Sequence, residues 1–138
     1  MFFIYLVEFI VFSFFGWIID SVYRSFVDKK IINAGYFRGP VCPIYGFGGL
    51  ALVFTAKFLV FCSFLTKIMV GFLLILLIEY LGSIFSEKVL KIKLWDYSKA
   101  ILNLNGRIDI YHSFYWLILV ILFYYFVFPL VVGVESLF

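Results

Sequence analysis

The chain has 138 residues, of which 66% are hydrophobic, 24% aromatic and only 14% charged, whereas soluble domains carry roughly 45–50% apolar and about 25% charged residues. A domain of this size buries roughly 68–70% of what its unfolded chain exposes, so a soluble form would be coated in Phe, Leu, Ile and Val; the composition excludes a soluble enzyme and leaves a polytopic membrane protein. The net charge of +3, from 11 Lys and Arg against 8 Asp and Glu with no basic run longer than two residues, argues against nucleic-acid binding.

A membrane helix needs about 20 mostly apolar residues to cross a core roughly 30 Å thick. The first candidate runs from Phe2 to Val22 and is closed by Arg24, Asp28, Lys29 and Lys30. It lacks a basic leader and a small-residue cleavage site and holds Glu8, so it reads as a retained span rather than a signal peptide. A second candidate starts past Pro40 and Pro43 and runs from Ile44 to Leu65, a third from Ile68 to Ser86, and a fourth from Ile108 to Val127, with Pro129 marking its exit. A tight connection around Thr66 and Lys67 joins the second and third. The expected fold is therefore an all-α polytopic membrane protein, one integral membrane domain over residues 1–138, with four transmembrane helices and two longer polar loops.

Those two loops carry Arg24, Lys29, Lys30, Arg38, Lys88, Lys91, Lys93, Lys99 and Arg107, nine basic residues against Lys57 and Lys67 elsewhere. The positive-inside rule then places both loops in the cytoplasm and both termini outside a cell membrane. The bias also argues against a dual-topology exporter, whose loop charges should balance. Each half of the chain follows the same order, a helix with Gly before an acid (Gly16 and Asp20; Gly82 and Glu87), a basic loop with Asn and Gly, and a returning helix, which suggests a tandem repeat about an axis along the membrane normal. In the second loop, Lys91 to Trp95 alternates polar and apolar and Ala100 to Leu104 can pair back on it, a short β-hairpin. The other reading is an interfacial loop anchored by Trp95 and Tyr97 at headgroup level.

An ionisable side chain at the bilayer centre costs roughly 2.5–3.5 kcal/mol on insertion scales, so each needs a partner or a purpose. Glu79 falls near the middle of the third span, Glu8 in the outer half of the first, and Lys57 at a depth between them. These three are candidates for a substrate or ion path, with Glu79 as a proton- or cation-binding carboxylate. The competing reading is structural: Lys57 pairs with Glu79 or Glu8 and holds helices in register, or snorkels outward. Asp20, Arg38, Glu87, Asp96 and Arg107 gather at the cytoplasmic ends as a polar cluster, in which Arg38 and Arg107 are expected to pair with Asp20 and Glu87. Asp109 and His112, three apart, share a helix face. No nucleophile or metal constellation accompanies them, and Cys42 and Cys62 lack metal-ligand spacing, so neither catalysis, nor a metal, nor a cofactor is expected.

The ordered motifs Gly16-Trp17-Ile18-Ile19-Asp20, Asn33-Ala34-Gly35-Tyr36, Gly39-Pro40-Val41-Cys42-Pro43-Ile44-Tyr45-Gly46, Glu79-Tyr80, Trp95-Asp96-Tyr97-Ser98 and Asn105-Gly106-Arg107-Ile108 resemble those of the bacterial CmpB-like family of ABC-transporter permeases. GPVCPIYG and WDYS are the specific parts, and the match runs in order over about residues 8 to 130. Members of the family it resembles usually carry Glu in place of Asp20, Arg in place of Ala34 and Cys in place of Asp109. The first exchange keeps a carboxylate; the second removes a loop cation. The resemblance implies a permease-like transport component. No Gly-rich phosphate loop ending in Lys-Ser or Lys-Thr occurs in the chain, so ATP hydrolysis would come from a separate subunit, and so few spans imply at least a homo-oligomer. A proton-coupled small exporter and a non-transporting membrane scaffold are the alternatives.

Overall fold

The computed structural model describes every residue except Phe37 and Arg38. Four helical stretches account for most of the chain: α1 (Phe2–Asp28), α2 (Pro43–Phe58), α3 (Phe64–Lys88), and a last one built from α4 (Ile110–Leu122), a π-helical segment (Phe123–Val127) and α5 (Phe128–Glu135). Three of them, α1, α3 and the continuous run Ile110–Glu135, are long and apolar enough to cross a membrane. The expected second span is shorter than its apolar run. With 16 residues α2 is about 24 Å long, less than the roughly 30 Å of a hydrocarbon core. It stops at Phe58 because Ser63 starts a new helix: the Ser63 hydroxyl accepts the Thr66 N–H at 3.2 Å, so Thr66 and Lys67 lie in the first turn of α3 and residues 59–63 form the turn.

The chain forms two compact units, Met1–Leu50 and Ala51–Phe138, with α2 contributing to both. In the first, α1 runs past the expected boundary to Asp28 and ends on Lys29 in the left-handed conformation, φ 53°, whose N–H bonds to the Ser25 carbonyl. The chain then doubles back along α1. Ser25 Oγ accepts the Ile32 N–H at 2.9 Å, Ser21 Oγ accepts the Ala34 N–H at 3.1 Å, and the Ser13 carbonyl accepts the Cys42 N–H at 2.9 Å. Pro43 then opens α2, where its missing N–H has no helical partner to lose. Small residues permit the contact that follows. A Cβ on Gly16 would lie 2.1 Å from the Tyr45 Cβ, and one on Gly46 would lie 2.3 Å from Ser13 Oγ. Ser13 and Gly16 are the buried residues of α1; Phe9 and Phe12 lie against Gly46 and Gly49 of α2, whereas Phe14, Phe15, Ile18 and Ile19 are exposed.

The core of the second unit is Leu52, Val53 and Ala56 from α2, Ile68 and Ile75 from α3, and Val120, Phe123 and Tyr124 from the last helix. Gly71 admits the closest approach, with a Cβ there falling 2.7 Å from both Leu52 Cδ2 and the Tyr124 hydroxyl. Pro129 does not mark a helix exit. A proline cannot donate to the carbonyl four residues back and its ring crowds that carbonyl. The π-helical segment just before it absorbs the conflict, the Phe128 N–H bonding to the Phe123 carbonyl, and the helix continues to Glu135.

The loop between α3 and α4 contains no strand among the described residues; a single antiparallel bridge joins Leu104 and Ile108. The alternation over Lys91–Trp95 therefore does not report a hairpin. Left-handed backbone at Lys91, Leu102, Asn105 and Gly106 breaks the extension a ladder needs.

Candidate functional site

The buried residues of α3 recur with helical period: Ile68, Gly71, Ile75, Glu79, Ser83 and Ser86. The stripe is apolar toward the start of the helix and polar over its last turns, and Glu79 is only 3% exposed. Rather than leaving into solvent, the loop after Lys88 lies back along these turns. The Tyr97 hydroxyl donates to Glu79 Oε1 at 3.4 Å. Asn105 Nδ2 donates to the Tyr80 hydroxyl at 2.8 Å, and Arg107 donates to Ser83 Oγ at 2.9 Å while its other terminal nitrogen pairs with Glu87 at 2.9 Å. The guanidinium also stands 5.7 Å from the Tyr80 ring centroid, within cation–π range. Since Glu79 is nine residues from Lys88, the loop reaches about 13 Å down the helix.

The loop's own bonds set this shape. Trp95 Nε1 donates to the Arg107 carbonyl at 3.0 Å, and the Tyr97 N–H donates to the Gly106 carbonyl at 2.8 Å. Gly106 has φ 68°, and its N–H is held by Asn103 Oδ1 at 2.9 Å. The Trp95 Nε1 and the Tyr97 hydroxyl thus bond to partners within the protein. Asp96 is outside the cluster, pairing with Lys93 at 3.1 Å and accepting the Ser98 N–H at 2.9 Å. The Ser98 backbone N–H, then its hydroxyl and Lys93, pull its carboxyl down to about 2.

Behind Tyr97 lies the histidine. The Tyr97 and His112 rings stack at 4.0 Å between centroids, and His112 Nδ1 is 2.6 Å from Asp109 Oδ1. Asp109 is the N-cap of α4, accepting the His112 N–H at 3.1 Å. A carboxylate is a strong acceptor at this capping position. Tyr97 therefore stands between Glu79, which its hydroxyl reaches, and His112, on which its ring stacks, with Asp109 beyond.

Of the expected pairs, Arg107 with Glu87 is present. Asp20 pairs with Arg24, one turn along α1, at 3.2 Å; its expected partner Arg38 lies outside the described residues. Lys57 makes its ion pair with Glu135, near the end of α5. Depth counting offered Glu79 or Glu8 because the fourth span was expected to end at Val127, short of Glu135. Glu8 is half-buried on α1, in the first unit. Ser83 and Asn105 were missed as participants, although Ser83 stands one helical turn from both Glu79 and Glu87, the spacing that could have marked it.

The motif residues of the first unit also lock a loop onto a helix. Asn33 Oδ1 accepts from Trp17 Nε1 at 2.7 Å and from the Gly35 N–H at 2.9 Å. A Cβ on Gly35 would lie 1.7 Å from the Gly39 carbonyl oxygen. Cys42 Sγ donates to the Ala34 carbonyl at 3.3 Å, and burial first, then the Asp20 carboxylate, pushes its thiol up to about 12. Burial likewise raises the Tyr36 phenol to about 12.

No significant match to a curated protein or to a solved structure was found. A family model does match, the one described as Putative ABC-transporter type IV, over residues 7–137. Because the match covers nearly the whole chain, including both helix-locking loops, the chain belongs to this ABC-transporter-type membrane protein family.

Proposed function

We propose that the protein is a permease-like transport component of the cell membrane, working as a homo-oligomer or with a separate ATP-hydrolysing subunit, and that Glu79 lies on its solute path. The observation that carries this reading is a carboxylate 3% exposed on an apolar span, reached by a hydroxyl from the loop that packs beside it. A carboxylate at such depth costs roughly 2.5–3.5 kcal/mol, and such residues typically mark ion or proton pathways. Tyr97 reaches Glu79 from the loop, and Arg107 with Glu87 fixes that loop. In this reading α2 crosses as a fourth, short span with the bilayer thinned around it. Both basic loops, Arg38 included, face the cytoplasm and both termini lie outside, following the charge bias.

The test is purification of the tagged protein from its native membrane in mild detergent, followed by ATP hydrolysis and vesicle flux. The proposal expects an ATP-hydrolysing subunit in fixed ratio and hydrolysis altered by Glu79→Gln. Recovery of a monomer without such a subunit, together with no solute flux in vesicles with or without ATP, would refute it. The chain would then be a scaffold in which the same acids and Arg107 only tie loop to helix.

A further inference from the structure

The loop after α3 has a second face. Its inner side, Trp95, Tyr97, Asn103 and Arg107, is consumed by hydrogen bonds to α3 and to itself. Its outer side presents Lys88, Lys91 and Lys99, all exposed and none in an ion pair among the described residues. Interleaved with them stand Ile92, Ile101 and Leu102, exposed by 44%, 62% and 75%. Leu102 is held at φ 53°, a conformation that leucine adopts only at a cost, and its side chain is directed outward.

Depth decides what covers this face. The loop packs beside the last turns of α3, where Leu81 and Phe85 are more than half exposed and, in a spanning helix, face lipid. Long apolar side chains at that level meet the outer acyl layer, and lysines among them meet headgroups. A water-soluble acidic partner would satisfy the lysines but not the isoleucines and leucine beside them. We infer that residues 88–102 form a binding surface for anionic phospholipid, with Lys88, Lys91 and Lys99 holding phosphate headgroups and Ile92, Ile101 and Leu102 seated in the acyl layer. The inference does not depend on transport or on which side the loop faces.

The full-length protein is reconstituted in nanodiscs of phosphatidylcholine alone or with phosphatidylglycerol, and lysine acetylation by an aqueous reagent is followed residue by residue. Lys88, Lys91 and Lys99 are expected to be protected about tenfold more with phosphatidylglycerol, with Lys67 unchanged. In native mass spectrometry, K88Q/K91Q/K99Q should lower the retained ratio of phosphatidylglycerol to phosphatidylcholine at least tenfold, since each lysine near an anionic surface contributes about fivefold. Exposed Lys→Gln exchanges leave the helices intact, which circular dichroism checks, while I101S/L102S should speed release of both lipids. Equal acetylation in the two bilayers, or a lipid ratio unchanged in the triple variant, would overturn the inference and leave the face to a protein partner.

Discussion

Arg107 and Glu87 meet at 2.9 Å, and the same guanidinium reaches Ser83 at 2.9 Å, so one side chain from the loop fastens two positions of α3 a turn apart. Both partners are mostly buried, and removing the cation leaves Glu87 without its counter-charge and Ser83 without its donor. Arg107→Ala should therefore destabilise the protein by about 2 kcal/mol, read as a lower unfolding temperature in detergent. Arg107→Lys should recover only part of this, because an ammonium cannot span the two acceptors as the planar fork does. Equal stability of the alanine variant would remove the clasp from the account.

Gly16 is needed for the contact with Tyr45. The Cβ it lacks would overlap the first side-chain atoms of Tyr45, 2.1 Å and 2.2 Å away, which rotation about later bonds cannot relieve. Gly16→Ala is expected to cost about 1–3 kcal/mol through overpacking, and Tyr45→Gly in the same chain, which removes the clashing Cβ, should recover part of the loss. Additive destabilisation in the double variant, measured by the same thermal assay, would contradict the contact.

The two cysteines should differ sharply. Cys42 is buried with its thiol raised to about 12, whereas Cys62 lies exposed in the turn before α3. Near pH 8 a maleimide is expected to label Cys62 and to reach Cys42 only after unfolding. The raised folded value also means that stability is full below the ordinary thiol range and is lost as pH climbs from about 9 toward about 12, the unfolded thiol ionising first. Cys42→Ser should flatten that alkaline limb.

Asp96 titrates in the opposite sense. Its carboxyl is held down at about 2, so the order it brings to the Asp96–Ser98 turn is present above its ordinary value near 3.8 and fades as pH falls toward about 2. Exchange of the Ser98 amide should quicken over that window in the wild type. In Asp96→Asn it should show no such step; a step of the same size would assign it to another group.

Composition and periodicity were enough to recover the membrane class, the helical character and the place of three long spans, because apolar run length is a direct physical requirement of the bilayer. Helix ends were less legible. Ser63 capping and the π-helical segment ahead of Pro129 depend on hydrogen bonds that hydropathy does not register, which is why α2 was expected too long and the last span too short. Glu135 was overlooked as a partner of Lys57 for the same reason, lying beyond the expected end of the last span. The loops were the hardest part. Residue type singles out Trp95 and Tyr97 but not the partners of their polar atoms, the Arg107 carbonyl and Glu79. Arg107 with Glu87 was legible because opposite charges at two helix termini had few other choices.

The central claim, that Glu79 lies on a solute path, is tested most directly by E79C in a chain where Cys42 is replaced by Ala and Cys62 by Ser. A small membrane-impermeant thiol reagent is applied to sealed vesicles from either side. The account predicts labelling of Cys at 79 from the side of the Lys88–Asp109 loop and faster labelling when Tyr97→Phe removes the covering hydroxyl. No labelling from either side, with or without Tyr97→Phe and with full labelling after unfolding, would contradict it.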